Sequence, residues 1–281
     1  MQQDILMIFE AIQQASLQIY EILKKSLGEY TQNTNSTGDI QLQADVESDR
    51  VIEALFQKLP CVKQICSEEQ DNIKEFHKEG IYSIAYDPLD GSSLMGANLS
   101  VGSIFGIYKG DFLPQNLIGA AYVIYGMVIG IGLALQNQEG VAYYTYDGKA
   151  FKLQKTLKLN SRGKLNSPGG TQKDWDSNHK AKIENLFAQG YRLRYSGGMV
   201  PDLHHILVKG GGIFSYPATQ NAPKGKLRML FEVFPFAFIF EKAGGEAKNP
   251  AQRLLELTPS HLHDTCACYF GSKEEMKYVC S

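Results

Sequence analysis

Cysteine is scarce in this sequence. Five cysteines occur among 281 residues, at positions 61, 66, 266, 268 and 280. An odd number scattered along a long chain does not suit a disulfide framework and favours reduced thiols, so we expect a cytoplasmic protein. Cys266 and Cys268 lack a second Cys or His pair at zinc-site spacing, so we interpret them as one face of a buried strand.

An excess of charge of either sign is also missing. The formal net charge is −2 and no basic block occurs, so neither nucleic acid nor a membrane surface is expected as a partner. The first residues contain no basic region before an apolar run, so we expect no secretory signal. A small anionic ligand would have to be held by locally placed cations or metal ions.

One long uncharged run is present, over residues 117–135. It is long enough to span a bilayer. Its four glycines and its many Val, Ile and Tyr residues favour instead two buried strands that break near Gly126. The hydrophobic content of 43% and charged content of 21% are ordinary for a globular protein. At this length we expect two cores or one large layered domain.

The most informative segment is Asp-Pro-Leu-Asp-Gly-Ser-Ser at 87–93, which follows an apolar, β-leaning run. Two carboxylates at the end of a strand suit Mg²⁺, which prefers oxygen ligands. The glycine and serines that follow suit a phosphate, because a turn into a helix gathers N–H donors around an anion. A surface turn is the alternative, since these residue types are the commonest turn formers.

Two further acidic features stand near predicted element ends. Glu68 and Glu69 follow a short predicted strand, where a solvated acidic turn is the alternative interpretation. Glu232 precedes a helix that begins near Pro235. An anion is favourable at a helix N-terminus, and phosphate can bind nearby. The alternative interpretation is a carboxylate that only caps the helix.

The remaining pattern alternates helices with strands. Apolar spacing predicts helices over 4–27, 46–59, 179–188, 199–208 and 234–242. Strands are predicted over 62–66, 99–108, 141–146, 150–153, 191–195, 213–216 and 267–270. A polar loop over 31–39 suits a linker or a lid. The polar stretch over 155–178 marks a domain boundary, which gives halves 1–155 and 156–281.

Six segments, in this order, closely resemble the class I fructose-1,6-bisphosphatase family, and the match covers nearly the whole chain. They are Asn-Ser-Thr-Gly-Asp at 35–39, Ser-Glu-Glu at 67–69, the 87–93 segment, Tyr-Ser-Gly-Gly-Met at 195–199, Gly-Gly-Ile-Phe-Ser-Tyr-Pro at 211–217 and Lys-Leu-Arg-Met-Leu-Phe-Glu at 226–232. The resemblance implies a layered α/β (α+β) sugar phosphatase fold, with alternating helix and sheet layers and two mixed α/β halves. The N-terminal half would be the metal-binding AMP domain, and the C-terminal half would bind fructose bisphosphate.

The same resemblance implies the reaction and its machinery. Fructose 1,6-bisphosphate would lose its 1-phosphate, in gluconeogenesis, with two or three Mg²⁺ ions (or Mn²⁺ in their place) activating water and neutralising charge. The implied metal ligands are Glu68, Glu69, Asp87, Asp90, Glu232 and the carbonyl of Leu89. The implied general base is Asp45 or Glu69, with Asp39 on a loop that closes over the substrate.

The substrate would be gripped by a larger set of residues, with a homotetramer as the expected assembly. Arg194 would reach the 6-phosphate from a neighbouring subunit, where arginine contacts phosphate bidentately. The implied set is Asp90, Gly91, Ser92, Ser93, Asn166, Arg194, Tyr195, Gly198, Met199, Tyr216, Lys226 and Arg228.

The chain also departs from the family pattern. Gly169 and Gly170 stand near where a tyrosine belongs, so one phosphate contact is expected to be missing. Ile81 and Lys109 replace residues of the AMP site and leave Tyr82 without its partners, so we expect weak or no inhibition by AMP. Sedoheptulose-1,7-bisphosphatase activity, inositol-phosphatase activity and a non-catalytic sugar-phosphate-binding role are the alternatives.

Overall fold

The structure is a computed structural model that describes residues 2–25, 30–34 and 40–281. Its α-helices are α1 (Gln2–Lys25), α2 (Gln43–Phe56), α3 (Ser177–Ala188), α4 (Met199–Lys209), α5 (Phe234–Lys242) and α6 (Lys273–Val279). Its strands are β1 (Tyr30–Thr34), β2 (Ile40–Leu42), β3 (Val62–Ser67), β4 (Lys74–Glu75), β5 (Tyr82–Asp90), β6 (Val101–Lys109), β7 (Leu117–Tyr125), β8 (Ile129–Leu135), β9 (Val141–Tyr146), β10 (Phe151–Leu157), β11 (Leu165–Pro168), β12 (Arg192–Leu193), β13 (Gly212–Tyr216), β14 (Leu227–Arg228), β15 (Glu246–Lys248), β16 (Thr265–Cys266) and β17 (Cys268–Gly271).

Two large sheets organise these strands. The first has the order β10-β9-β8-β7-β6-β5-β3-β4 and is antiparallel except where β3 runs parallel to β5. The second has the order β12-β11-β13-β17-β15, in which β11 runs parallel to both of its neighbours. Because β3 and β5 are parallel, their carboxyl ends meet at one edge of the first sheet, which is where ligands bind in many α/β folds.

Helices cover the sheets in alternating layers. Helices α1 and α2 pack on each other and on the first sheet, α4 and α5 pack between the two sheets, and α3 and α6 pack on the second sheet. Three clusters of buried apolar side chains fill the spaces between these layers. The expected layered α/β architecture is therefore confirmed.

Most predicted elements are confirmed, with changed ends. The uncharged run over 117–135 forms β7 and β8 with a turn at Gly126, and no described helix is long and apolar enough to cross a membrane. All five cysteines are free. Cys266 and Cys268 are buried, but they do not share one strand as predicted, because Cys266 ends β16 of a two-stranded sheet and Cys268 begins β17 of the second large sheet. The second helix begins earlier than predicted, at Gln43, so Asp45 lies inside its first turn and does not precede it.

Candidate metal and substrate site

A bulge in β5 brings two carboxylates together. Asp87 pairs with Ile104 of β6 and Asp90 pairs with Gly102, so β5 carries one residue more than β6 between these pairs. Side chains alternate between the faces of a regular strand, so residues three positions apart would point to opposite faces. The extra residue in β5 cancels this alternation, so the side chains of Asp87 and Asp90 point to the same face of the sheet. Proline at position 88 suits a bulge because it has no N–H for the strand ladder.

The beginning of α4 holds Asp90 in place. The backbone N–H of Met199 donates to one oxygen of Asp90 at 3.1 Å, and that of Val200 donates to the other at 2.6 Å. This approach needs glycine at position 102, since a Cβ there would lie 2.4 Å from Cβ of Val200. A helix N-terminus that donates to a carboxylate stabilises its negative charge.

Glu232 completes a cluster of three acids. It lies in a π-helical turn, Met229–Val233, and accepts a hydrogen bond of 2.6 Å from the backbone N–H of Arg228. Single π-turns often occur at functional sites. One ligand oxygen from each of Asp87, Asp90 and Glu232 lies within 4.8 Å of the others, and all three residues are buried.

The electrostatics of the cluster favour a bound cation. Burial raises the pKa of Asp87 and of Glu232 well above the usual values, and the nearby charge of Glu68 adds to both effects. Burial also raises the pKa of Asp90 to about 7, although its two backbone hydrogen bonds oppose the rise. Clustered carboxylates ionise together only when a positive charge compensates them. Three buried oxygen donors of this kind fit a hard divalent cation.

Glu68 and Glu69 follow β3, beside the carboxyl end of β5. The N–H of Glu68 donates to the carbonyl of Tyr86 at 3.0 Å, which extends the parallel pairing. The carboxylate of Glu68 forms an ion pair with Arg228, and both side chains are 12% exposed. The N–H of Glu69 donates to the hydroxyl of Ser67 at 3.2 Å. Glu68 and Arg228 therefore lie directly beside the three-acid cluster.

A cavity of about 160 Å³ opens from the acid cluster, and we call it the substrate cavity. Several residues predicted to bind substrate or metal line it. They are Asp90, Tyr195, Gly198, Met199, Tyr216, Lys226, Arg228 and Glu232. Sequence reasoning missed Gly197, Phe214 and Leu227, which line it as well. All three lie inside family segments, 195–199, 211–217 and 226–232, and this was the signal that could have found them.

Two tyrosines and a glycine shape one wall of the substrate cavity. A Cβ at Gly169 would lie 2.5 Å from Cδ2 of Tyr216 and 3.2 Å from Cε2 of Tyr195. Position 169, where the resemblance expects a tyrosine, therefore has no room for a side chain while Tyr216 keeps this orientation.

Asp202 is a further residue that sequence reasoning missed. It is buried in the first turn of α4, and its two oxygens accept from the N–H of Ser196 at 2.8 and 3.1 Å. This contact closes the loop between Tyr195 and α4. It therefore fixes the N-terminus of α4, whose N–H groups donate to Asp90. A polar residue near a helix start is a recognisable signal for such a contact.

Other predicted residues lie away from the substrate cavity. Asn166 is fully buried in β11, and neither atom of its side-chain amide has a hydrogen-bond partner among the described residues. Arg194 is exposed and lines a different cavity. Asp45 is buried in α2, one turn before Asp49, whose carboxylate accepts from the hydroxyl of Tyr86 at 2.8 Å.

The remaining predicted site residues lie in the bulge of β5, in the turn after it, or outside the described part of the chain. Leu89 is buried in the bulge, and its N–H donates to Asp87 at 2.8 Å. Gly91 has a φ of 76° and abuts Gly198, and Ser92 and Ser93 begin a 3₁₀ turn, Ser92–Ala97, instead of an α-helix. Asp39 lies outside the described residues.

Comparison with known proteins identifies the family of this chain. The family model described as the fructose-1-6-bisphosphatase N-terminal domain matches residues 1–157, and the model of the C-terminal domain matches residues 159–281. The class 1 fructose-1,6-bisphosphatase of Helicobacter hepaticus is 54% identical over 97% of both chains. That of Campylobacter curvus is 50% identical over 98% of this chain and 93% of its own.

Solved structures give the same result. Leishmania major fructose-1,6-bisphosphatase in its holo form matches with a TM-score of 0.93 and 31% identity, over 98% of this chain and 93% of its own. A Toxoplasma gondii protein assigned as a sedoheptulose-1,7 bisphosphatase matches with a TM-score of 0.87 and 29% identity, over 98% and 92%. The chain therefore belongs to the class 1 fructose-1,6-bisphosphatase family.

Proposed function

We propose that this enzyme hydrolyses the 1-phosphate of fructose 1,6-bisphosphate in gluconeogenesis and releases fructose 6-phosphate and inorganic phosphate. The observation that carries the proposal is the contact between two features. Two of the three buried acids, Asp90 and Glu232, also line a cavity that contains Lys226 and two tyrosines. A site for cations and a site for a phosphorylated sugar are thus continuous.

The family is metal-dependent, and we propose Mg²⁺ as the cation, with two or three ions per subunit and Mn²⁺ as a substitute. Asp87, Asp90 and Glu232 would hold the metal together with Glu68, Glu69 and the carbonyl of Leu89. Oxygen-only donors support a hard cation. When bound, the metal neutralises charge on the phosphate and lowers the pKa of a water.

The other residues would orient the substrate and exclude water. Burial raises the pKa of Tyr216 to about 12, so its hydroxyl stays protonated at neutral pH and is able to donate to a phosphate oxygen. Lys226, at the exposed rim, would span the sugar and the 6-phosphate. Phosphoryl transfer needs mainly such alignment and charge stabilisation.

Further residues of the proposed site supply the base, the cover and the remaining phosphate contacts. Glu69 or Asp45 would take the proton from the attacking water, and Asp39 would belong to the covering loop. Gly198 and Met199 would contact the sugar, and Asn166 the 6-phosphate. The backbone N–H groups of Gly91, Ser92 and Ser93 would bind the 1-phosphate, with Arg228 supplying positive charge beside Glu68.

We also propose how the enzyme is organised. Residues 1–155 would form the metal-binding half and residues 156–281 the sugar-binding half. A homotetramer would bring Arg194 of one subunit to the 6-phosphate held by its neighbour, which agrees with its position outside its own substrate cavity. The five free thiols support a reducing compartment such as the cytoplasm.

A phosphate-release assay tests the proposal. Fructose 1,6-bisphosphate should release phosphate with Mg²⁺ and not with EDTA. Asp87→Asn and Glu69→Gln should each lower kcat by at least ~10²-fold, because charge stabilisation and proton transfer contribute this much. The matched control is Glu79→Gln, at an exposed turn. Near-normal turnover of either site variant with Mg²⁺ would contradict the proposed roles.

The same assay separates the alternatives. The similarity to the Toxoplasma gondii protein favours a test with sedoheptulose 1,7-bisphosphate, and an inositol phosphate completes the panel. Release from fructose 1,6-bisphosphate should have the highest kcat/KM. Binding of sugar phosphates without any release would instead indicate a non-catalytic protein. AMP should inhibit weakly or not at all, and strong sigmoidal inhibition would overturn that expectation.

A further inference from the structure

A buried serine of the neighbouring strand is bonded to the bulge that carries Asp87 and Asp90. Ser103 lies in β6 and is fully buried, and its hydroxyl donates to the carbonyl of Pro88 at 2.7 Å. It is the single residue of β6 between the two pairs that flank the bulge, opposite Pro88 and Leu89 of β5. Its side chain therefore supplies a hydrogen bond where the strand ladder is interrupted.

This hydrogen bond fixes a peptide plane that also contacts Asp87. The carbonyl of Pro88 and the N–H of Leu89 belong to the same planar peptide group. Ser103 holds the carbonyl, and the N–H donates to Oδ1 of Asp87 at 2.8 Å. Rotation of the plane would break both hydrogen bonds together. The hydroxyl of Ser103 is therefore linked through one rigid group to the carboxylate of a metal-ligand candidate.

A tyrosine from the next strand orients the serine in turn. The hydroxyl of Tyr125, in β7, lies 3.0 Å from Oγ of Ser103. Serine has one hydroxyl proton, which it donates to Pro88, so Tyr125 is the donor of this second bond. Burial raises the pKa of Tyr125 above its usual value, so its hydroxyl stays protonated. Hydrogen bonds in such a buried chain polarise and strengthen one another.

The three acids of the cluster differ in how their backbone donors are held. The donors to Asp90 and Glu232 belong to helical turns, whose backbone geometry is regular. The donor to Asp87 is the N–H of Leu89, which belongs to a bulge where strand pairing is interrupted. A side chain from outside β5 has to hold this donor in place, and Ser103 is bonded to the same peptide group.

We propose that Ser103 is a positioning residue for the metal site, with Tyr125 as its support. The proposal rests on the proposed function, in which Asp87 binds the cation used in catalysis. Ser103 is not itself a ligand candidate. It acts by keeping the carboxylate of Asp87 directed toward Asp90 and Glu232, against the repulsion between like charges. Partners that orient metal ligands in this way contribute about 10- to 100-fold to metal affinity or activity.

Calorimetric titration with Mg²⁺, on protein treated with EDTA and then dialysed, tests the proposal. Ser103→Ala should bind Mg²⁺ ~10-fold more weakly than the wild type, because the peptide group that holds Asp87 loses its anchor. Tyr125→Phe should weaken binding in the same direction but less, since Ser103 keeps its own bond to Pro88. Ser103→Thr retains the hydroxyl and suits a strand, so it should bind Mg²⁺ nearly as tightly as the wild type.

Ser83→Ala is the matched control. Ser83 is also fully buried and donates to a backbone carbonyl, that of Gly110, but it lies at the opposite end of β5 from Asp87. Each alanine variant leaves one buried carbonyl without its donor, so both should lower the Tm of the metal-free protein. Only Ser103→Ala should also change the affinity for Mg²⁺.

Steady-state kinetics adds a readout that a general loss of stability would not change. In Ser103→Ala the Mg²⁺ concentration for half-maximal phosphate release should rise ~10-fold, while the KM for fructose 1,6-bisphosphate at saturating Mg²⁺ stays close to the wild-type value. Equal Mg²⁺ affinity in the two alanine variants would overturn the role of Ser103 and leave the proposed function intact. A wild type that binds no Mg²⁺ would contradict the proposed function itself, and this role with it.

Discussion

At the scale of single residues, the substrate cavity depends on what is missing from position 169. The ring of Tyr216 lies where a side chain at this position would be, at 2.5 Å from a Cβ. The sequence predicts that glycine at this position loses a phosphate contact. The structure shows in addition that a larger residue would not fit beside the ring of Tyr216. Glycine at 169 and the orientation of Tyr216 belong together.

Gly169→Ala should raise the KM for fructose 1,6-bisphosphate by ~5-fold with kcat changed less than twofold. The added methyl group displaces Tyr216, which removes about one hydrogen bond of ~1 kcal/mol to the substrate. Steady-state kinetics measures both constants. Gly96→Ala is the control, since a Cβ there meets nothing within 4 Å. An unchanged KM for Gly169→Ala would mean that Tyr216 does not contact the substrate.

The sequence predicted which types of residue form the site. It predicted only part of how these residues are arranged relative to one another. Pro88 inside a strand pattern signals a bulge, which is enough to expect Asp87 and Asp90 on one side. The N–H donors from Met199 and Val200 come from 109 and 110 residues along the chain. Such a contact depends on tertiary packing, and no local pattern carries it.

At the scale of elements, α4 connects the acid cluster with the sheets around it. Its first turn donates to Asp90, and the helix packs against β6 and β7 on one side and β13 on the other. Its position over β6 is set by the contact of Val200 with Gly102. A change at this contact should therefore shift the N–H donors of α4 relative to Asp90.

Gly102→Ala should lower kcat by at least ~10-fold and destabilise the protein by about 1–3 kcal/mol, the usual cost of overpacking. The new Cβ would lie 2.4 Å from Val200, so α4 moves away from Asp90. Urea unfolding and phosphate release measure the two effects. Adding Val200→Gly removes the clash and should restore part of the activity; no recovery would point to a different cause.

Element ends differ in how well local sequence defines them. Helix α5 occupies the predicted 234–242 because Pro235 marks its start and Gly244 follows its end. The π-turn around Glu232 was not predicted, since one extra residue in a turn leaves no signature in apolar spacing. That turn contains a metal-ligand candidate, so the deviation from regular structure coincides with the site.

At the scale of the whole molecule, the middle helical layer contains a half-buried histidine, His204. His204 of α4 lies between the sheets and bonds the hydroxyl of Tyr122 at 2.8 Å. Burial lowers its pKa from 6.5 to about 4. Between these values the unfolded chain binds a proton that the folded chain does not, so the free energy of unfolding falls as the pH drops.

His204→Gln should therefore reduce the acid sensitivity of the fold. Between pH 7 and pH 4.5 the wild type should lose more free energy of unfolding than the variant, by on the order of 2 kcal/mol. Glutamine keeps an acceptor for Tyr122 and does not titrate. Urea unfolding at both pH values measures the difference, with exposed His261→Gln as the control. Equal losses in all three proteins would show that His204 is not protonated on unfolding.

The acid cluster also links the layers. Asp87 and Asp90 come from the first sheet, Glu232 precedes α5, and the donors to Asp90 come from α4. The acids repel one another when ionised, and a cation that binds only the folded chain removes this repulsion. Metal binding should therefore stabilise the whole fold and not the site alone.

Adding Mg²⁺ to EDTA-treated protein should raise Tm by several degrees, because saturation to 100 times Kd contributes ~2.7 kcal/mol. Asp87→Asn should remove most of this shift. Without metal the same variant should melt at or above the wild-type Tm, since it removes a buried like charge. Asp71→Asn, an exposed neighbour, should behave as the wild type under both conditions. A metal-free Asp87→Asn protein that melts well below the wild type would mean that Asp87 stabilises the fold without a cation.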